Sequence, residues 1–293
     1  MKSIGLLINP TKAGVKPLLA GLKDTLHRLG VTPVAPATPA SEGLDWATLV
    51  PEKEFARAID VLVTLGGDGT ILRGVHLLRG EDVPLLGINL GNLGFLTTAT
   101  AERMSEALAA VVEGRYTTTL RSVLSCRVTR GDACRGDYRA LNDIVAGWGQ
   151  STRIISLHVK VNDENVTSYR CDGIIVSTPT GSTGHSLSAG GPILHPEAAA
   201  LLINVICPHT LSARPMVIPD DRTVRVEIHE TSKELLLSVD GNEVQSLVAG
   251  DVLTIQRSVH AARLIQLPGH SYFDILRQKL QWSGSTTERG EGG

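Results

Sequence analysis

Three glycines surround one carboxylate in the stretch Gly66-Gly67-Asp68-Gly69-Thr70. It follows the apolar run "DVLVTLG" and opens a helical pattern. Glycines at the carboxyl end of a buried strand, where a helix begins, let backbone N–H groups point at a phosphate, and the helix dipole favours its charge. Asp-Gly is also a strong hairpin signal. Here, however, it stands between a strand and a helix rather than between two alternating strands. No Gly-Lys-Ser/Thr follows, so this is not a Walker A loop, and it does not match GxGxxG. A carboxylate near phosphates repels them unless a metal ion or a hydroxyl proton lies between. Either option points to phosphoryl transfer, in which one acid accepts the attacking hydroxyl's proton. An ordinary Asp, with a pKa of about 3.9, takes that proton only as the new O–P bond forms.

Three further stretches carry candidate ligand groups. In "LGINLGNLGFL" (86–96), Gly91 and Gly94 bracket Asn92, and Phe95 lies just beyond. This loop also follows a buried strand. Loops from two adjacent parallel strands share one sheet edge, the usual ligand crevice. In "ALNDIVAG" (140–147), Asn142 and Asp143 interrupt an apolar strand. An amide donates and accepts, and a carboxylate accepts two hydroxyls, which suits a ribose diol or an adenine edge. A turn or bulge is the plainer alternative. The longest stretch, "DGIIVSTPTGSTGHSLSAGGPILHP" (172–196), sets small hydroxyl residues and glycines on a buried strand. It offers many short donors and little bulk, as an extended polar ligand such as a dinucleotide requires.

The elements that must position these groups are legible in outline. In the first hundred residues, continuous apolar strands ("SIGLLI", "DVLVTLG", "PLLGINLG") are separated by helical patterns. Such strands imply a parallel sheet covered on both faces. One helix places Leu18, Leu19, Leu22, Leu26 and Leu29 on a single face and stops at Gly30. The segment 35–50, rich in Pro, Ala and Thr, reads as a loop. Thr100 caps a helix running to about Glu113, with Glu102 in its positive first turn. Beyond Tyr116, "LHVKVN", "VRVEIH" and "LLLSVD" alternate strictly, the signature of antiparallel strands with one buried face. The fold class is therefore α/β followed by a β-rich, sandwich-like domain. The expected division is 1–100 for the α/β domain, 101–267 for the β-rich one, and 283–293 for a disordered tail. A helix within 268–282, with Phe273, Leu276 and Leu280 aligned, returns to the first domain.

Composition excludes several functions. The 293 residues carry a net charge of −2 and 3% aromatics, leaving neither a basic patch nor a stacking platform for nucleic acid. Cys126, Cys134, Cys171 and Cys207 form no CxxC pair, which suggests reduced thiols and a cytoplasmic setting. There is no HExxH, no cleavable leader pattern after "MKSIGLLINP", and no run of the ~18 apolar residues that a membrane span needs.

Taken in order, "GGDGT", "LND", "DGIIVSTPTGSTGHSLSAGGPILHP" and "ICPHTLSARP", with a weaker echo in "LSVDG", resemble the NAD kinase family. The motifs span most of the chain, and the long one is highly specific. The resemblance implies transfer of the γ-phosphoryl group of ATP, with a divalent cation such as Mg²⁺, to the 2′-hydroxyl of the adenosine ribose of NAD. It implies Asp68 as the base and Gly66, Gly67, Gly69 and Thr70 as the phosphate loop. Asn142 and Asp143 match the pair that holds the adenosine moiety, with Phe95 packed near the adenine. Asp172 matches the acid at the nicotinamide end. Thr180, Thr183, Gly184, His185 and Ser188 fall at further dinucleotide contacts, and His209 falls close to the site. It also implies a homodimer or homotetramer. Two positions depart from the family pattern. The usual Asn-Glu pair is Asn-Asp here, and the usual "STAY" is "STGH", so an imidazole stands where a tyrosine ring does. The metal ligands are not identified. Competing readings are another GGDGT-type kinase acting on a lipid or sugar phosphate, and a non-catalytic dinucleotide-binding protein. The polar long motif argues against a lipid acceptor, and the intact Asp68 against a non-catalytic role.

Overall fold

The apolar runs of the amino-terminal half form strands buried along nearly their whole length. In the computed structural model, which describes residues 2–12, 14–41, 43–91, 93–148, 154–230 and 235–282, β1 (Ser3–Ile8), β2 (Thr32–Pro36), β3 (Thr48–Val50), β4 (Val61–Gly66) and β5 (Leu85–Asn89) pair in parallel in the order β3-β2-β1-β4-β5. All residues of β4 and β5 are buried, as a sheet covered on both faces requires. Strand order reverses between β1 and β4. Loops leaving their carboxyl ends therefore open at the switch point where α/β sheets bind ligands. The short β6 (Ala99–Thr100) and the returning strand Ala262–Gln266 both pair with β5 in parallel, and β7 (Thr117–Arg121) ends the sheet.

Four helices accompany these strands: α1 (Val15–Arg28), α2 (Glu52–Phe55), α3 (Asp68–Leu78) and α4 (Met104–Val112). α1 buries Val15, Leu22 and Leu26 and stops before Gly30, whose φ of +66° suits a residue without a β-carbon. The segment 35–50 is not all loop. Val34 and Ala35 pair with Thr48 and Leu49 across β2 and β3, a pairing supplied by the sheet edge and invisible in local composition. Thr100 does not cap through its hydroxyl. That group bonds the Glu102 carboxylate, and the helix starts as the 3-10 turn Ala101–Arg103.

By internal contacts the chain forms two units. The first takes the described residues of Met1–Gly74, Val83–Thr118 and Leu264–Gly293, and the second Val75–Asp82 and Thr119–Arg263. α4 therefore clusters with the first unit, where its Ser105 and Thr25 of α1 share a hydroxyl hydrogen bond of 3.1 Å. The carboxy-terminal helix Tyr272–Leu280 also belongs to the first unit, capped by Ser271, which accepts the Asp274 N–H. Its buried stripe is Ile275–Leu276, while Phe273, expected on that stripe, is 58% exposed. Spacings of three and four residues define two overlapping faces, and packing selected the one centred on Ile275. The expected tail, 283–293, lies outside the described residues.

The second unit holds two six-stranded antiparallel sheets. Its strands are β8 (Leu124–Arg130), β9 (Ala133–Ala140), β10 (Asp143–Trp148), β11 (Ile155–Val161), β12 (Glu164–Cys171), β13 (Gly173–Ser177), β14 (Ala200–Ile206), β15 (Met216–Pro219), β16 (Val224–Glu230), β17 (Leu235–Val239), β18 (Asn242–Leu247) and β19 (Asp251–Arg257). One sheet runs β15-β14-β13-β10-β17-β18 and the other β12-β11-β16-β19-β8-β9. Leu157, Val159, Val226 and Leu253 of one sheet share a core with Ile144, Ile174, Ile203 and Leu237 of the other. That core is the packed interior of a sandwich, built from alternating residues.

Candidate active site

In the first unit, the GGDGT stretch bridges β4 and α3, so Asp68 is the first residue of the helix. Its carboxylate is clamped by the next strand's loop. The Phe95 N–H donates to Oδ2 (2.9 Å) and the Leu96 N–H to Oδ1 (3.1 Å). Gly94 makes the approach possible, because a β-carbon there would collide with the carboxylate. The loop itself is braced by two residues that the motif reading did not single out. Asn89 accepts the Gly91 N–H (3.1 Å), and Thr97, fully buried, accepts the Gly94 N–H (2.7 Å). The glycines of the turn differ in their surroundings. A β-carbon on Gly66 would meet the Thr70 side chain, whereas one on Gly69 would meet nothing within 4 Å. The N–H groups of Thr70 and Ile71 both return to the Gly67 carbonyl, and that of Gly67 goes to Thr70 Oγ1 (3.4 Å). Those of Asp68 and Gly69 carry no partner among the described residues. Two open donors at a helix N-terminus, with clear space above Gly69, form an anion cradle. Phe95 is half-buried, and Asn92 lies outside the described residues.

In the second unit, three stretches that were separate in sequence meet at one sheet end. β10 lies between β13 and β17, with Asp143 opposite Ser177 and Ile144 opposite Val239. The turn into β10 is held through its backbone. Thr178 Oγ1 donates to the Leu141 carbonyl (2.6 Å), and the Thr178 N–H to that of Asn142 (2.9 Å). Gly181 packs directly on the Asn142 backbone, where a β-carbon would collide. Two buried oxygens here have no hydrogen-bond partner among the described residues, Asn142 Oδ1 and Thr180 Oγ1. An orphaned buried acceptor is costly unless a ligand fills it. Asp143 is 4% exposed, and burial, aided by the nearby Asp240 charge, pushes its carboxyl up to about 7. At neutral pH the carboxyl is therefore partly protonated and can donate as well as accept.

The hydroxyls of the long motif mostly face inward. Ser177, Thr178, Ser182 and Ser186 are fully buried; Ser182 Oγ donates to the Pro179 carbonyl (2.6 Å) and accepts the Leu194 N–H (3.0 Å). Asn204 of β14 donates to the carbonyls of Ser186 and Ala189 (both 3.1 Å). The loop's rigidity thus comes from the residues that looked like ligand donors. Thr183 Oγ1 reaches the Thr180 carbonyl (3.3 Å), and Gly184 is half-buried. His185 opens the short helix α5 (His185–Ser188), and its two end residues are exposed. Asp172 and His209 stand elsewhere. Gly173 pairs with Ile206, so both residues lie at the opposite end of β13 from Ser177, about 15 Å along the strand. There Cys207, with a φ of +45°, hydrogen-bonds the Asp172 carboxylate, which raises its thiol pKa. Among the described residues no group of three His, Cys, Asp or Glu could hold a metal ion.

The chain matches family models at both ends, "ATP-NAD kinase N-terminal domain" over residues 9–116 and "ATP-NAD kinase C-terminal domain" over 141–267. The chain belongs to the NAD kinase family. It is 42% identical to the NAD kinase of Gemmatimonas aurantiaca over 80% of this chain and 81% of that protein. It is 39% identical to that of Heliobacterium modesticaldum over 96% of this chain and 99% of that protein. Among solved structures, it resembles a yeast NADH kinase complexed with NADH (TM-score 0.90, 26% identity, 97% and 89% of the two chains). It also resembles an NAD kinase from Archaeoglobus fulgidus in complex with ATP (TM-score 0.74, 28% identity, 97% and 100%). The motifs of this NAD kinase family member coincide with its two sets of polar groups. One is the cradle around Asp68, the other the Asn142–Thr180 cluster.

Proposed function

We propose that this chain transfers the γ-phosphoryl group of ATP to the 2′-hydroxyl of the adenosine ribose of NAD, giving NADP and ADP. The 2′-oxygen attacks the γ-phosphorus as the bond to the β–γ bridging oxygen breaks, and the hydroxyl proton passes to Asp68. The observation that carries this reading is the clamped carboxylate of Asp68 beside the open N–H groups of Asp68 and Gly69. A fixed base next to an anion cradle suits in-line transfer, where positioning and charge stabilisation supply most of the rate. Gly66, Gly67, Gly69 and Thr70 form the phosphate loop, with Asn92 and Phe95 beside it. Asn142, Asp143, Thr180, Thr183, Gly184, His185 and Ser188 take the dinucleotide, and the orphaned oxygens of Asn142 and Thr180 supply acceptors for its donors. A divalent cation, Mg²⁺ in our reading, arrives on the triphosphate and is held mainly by its phosphate oxygens. Bound there, it would neutralise charge developing on the phosphates.

The reading extends to a homo-oligomer acting in the cytoplasm. Asp172 and His209, at the end of β13 remote from Asn142, then serve a dinucleotide bound to a second copy. The deciding experiment is a coupled assay with NAD, ATP and Mg²⁺, in which an NADP-specific dehydrogenase reports NADP. Asp68→Asn keeps the size of the side chain but cannot accept the proton. Its kcat should fall by about 10²–10⁴ with NAD affinity unchanged. Absence of NADP formation by the wild-type chain, or near-full turnover by the variant, overturns the reading.

A further inference from the structure

Asp240 and Gly241 are the two central residues of the hairpin between β17 and β18, with Val239 opposite Asn242. Their φ values of +49° and +78° are those of a type I′ turn. The Asp240 side chain, however, is fully buried. Its Oδ1 accepts the N–H groups of Asn142 (2.7 Å) and Asp143 (3.2 Å), and its Oδ2 accepts that of Leu141 (2.9 Å). The second bond to Oδ2 comes from His76 Nε2 at 2.9 Å, on the last turn of α3. The Asp240 N–H in turn donates to the Asp143 carbonyl (3.1 Å). One carboxylate thus fixes three consecutive amides of the turn into β10. Asp240 holds the backbone of this turn, while Asn142 Oδ1 has no hydrogen-bond partner among the described residues.

We infer that His76 and Asp240 are positioning residues for dinucleotide binding, holding the Leu141–Asp143 backbone so that Asn142 and Asp143 face NAD. The inference rests on the reading of those two side chains as dinucleotide contacts. His76 is the informative half of the pair. Its side chain is 36% exposed, and its removal leaves the hairpin and all three amide bonds formally possible. It also leaves a buried oxygen one donor short, which loosens the carboxylate and the turn it holds. Glutamine at 76 can present an amide N–H in place of Nε2–H and restores the missing donor.

The experiment compares wild type, His76→Ala, His76→Gln and Asn142→Ala as full-length protein. It measures KM for NAD, KM for ATP, kcat, and amide hydrogen exchange at residues 141–143. His76→Ala should raise the KM for NAD about tenfold, or ~1.4 kcal/mol. It should speed exchange at the three amides and leave the KM for ATP unchanged, and His76→Gln should restore both values. Unchanged exchange in His76→Ala overturns the inference, whatever the activity. Equal rises in both KM values, or no rescue by Gln, overturn it in favour of a purely structural contact. If exchange quickens while the KM for NAD stays put, the positioning role falls. In that case Asn142→Ala decides which premise failed. An unchanged KM for NAD there removes the assignment of Asn142 itself, and a raised one leaves only the His76 link refuted.

Discussion

The glycines around Asp68 differ in what each permits, and the difference is measurable. Gly94 gives the Asp68 carboxylate room, whereas Gly69 faces open space. Gly94→Ala should displace Asp68, lowering kcat nearly as far as Asp68→Asn and costing about 1–3 kcal/mol of stability through overpacking. Gly69→Ala should leave the melting temperature unchanged or slightly raised, since alanine is the better helix residue. It should nevertheless raise the KM for ATP about tenfold by crowding the phosphates. Thermal melts and initial rates on both variants check this, and equal destabilisation by the two would refute it. Asp143 supplies a second test. Its carboxyl is raised from 3.8 to about 7 by burial first and the Asp240 charge second. The native state therefore holds a proton that the unfolded chain has lost between those values. Stability from this group is complete below about pH 4 and is lost as pH rises through about 7. Asp143→Asn should flatten the pH dependence of the denaturant midpoint across that window. An unchanged slope would mean that Asp143 titrates as an ordinary surface acid.

Among the elements, the carboxy-terminal helix separates pattern from packing. Apolar spacing placed Phe273 and Leu276 on one stripe, but Leu276 is 3% exposed and Phe273 58%. Leu276→Ala should cost about 2–5 kcal/mol in denaturant unfolding. Phe273→Ala should stay within about 0.5 kcal/mol, as surface changes do. Similar losses for both would restore the stripe expected from sequence. The element with the greatest consequence for the site is β10. Its neighbours β13 and β17 bring the long Ser/Thr/Gly motif and the Asp240 hairpin to the same end as Asn142 and Asp143. The antiparallel register, fixed by which face of each strand is apolar, puts three motifs together that are far apart in the chain.

For the whole molecule, the chain belongs to the NAD kinase family, and the function proposed above reads the Asp68 cradle as serving the donor and the Asn142 cluster as serving the acceptor. The distance of Asp172 from that cluster along β13 motivates the proposed exchange of residues between copies. Asp68→Asn and Asp172→Ala should each be nearly inactive alone. Mixed and reassembled, they should regain activity toward about a quarter of the wild-type level, because half the dimers are mixed and each has one intact site. No recovery, or a monomer by light scattering at assay concentration, contradicts the exchange.

Local signals determined much of this. Strands buried on both faces announced the parallel sheet, strict alternation announced the sandwich, and glycines around one acid marked the junction where β4 gives way to α3. Each depends on residues within a few positions of one another, where periodicity and backbone freedom act. The clamp on Asp68 comes from residues 27 and 28 positions away, and that on Leu141–Asp143 from a residue 97 to 99 positions away. Asn89, Thr97 and His76 carry no local signature of these roles, and Asp240 shows only as part of the weak "LSVDG" echo. Ser177, Thr178 and Ser182 read as ligand donors until packing turned them inward. Hydrogen-bond partners and desolvation are properties of which distant segments pack together. Only the tertiary structure could therefore decide which of these polar side chains are spent on holding turns and loops and which stay open.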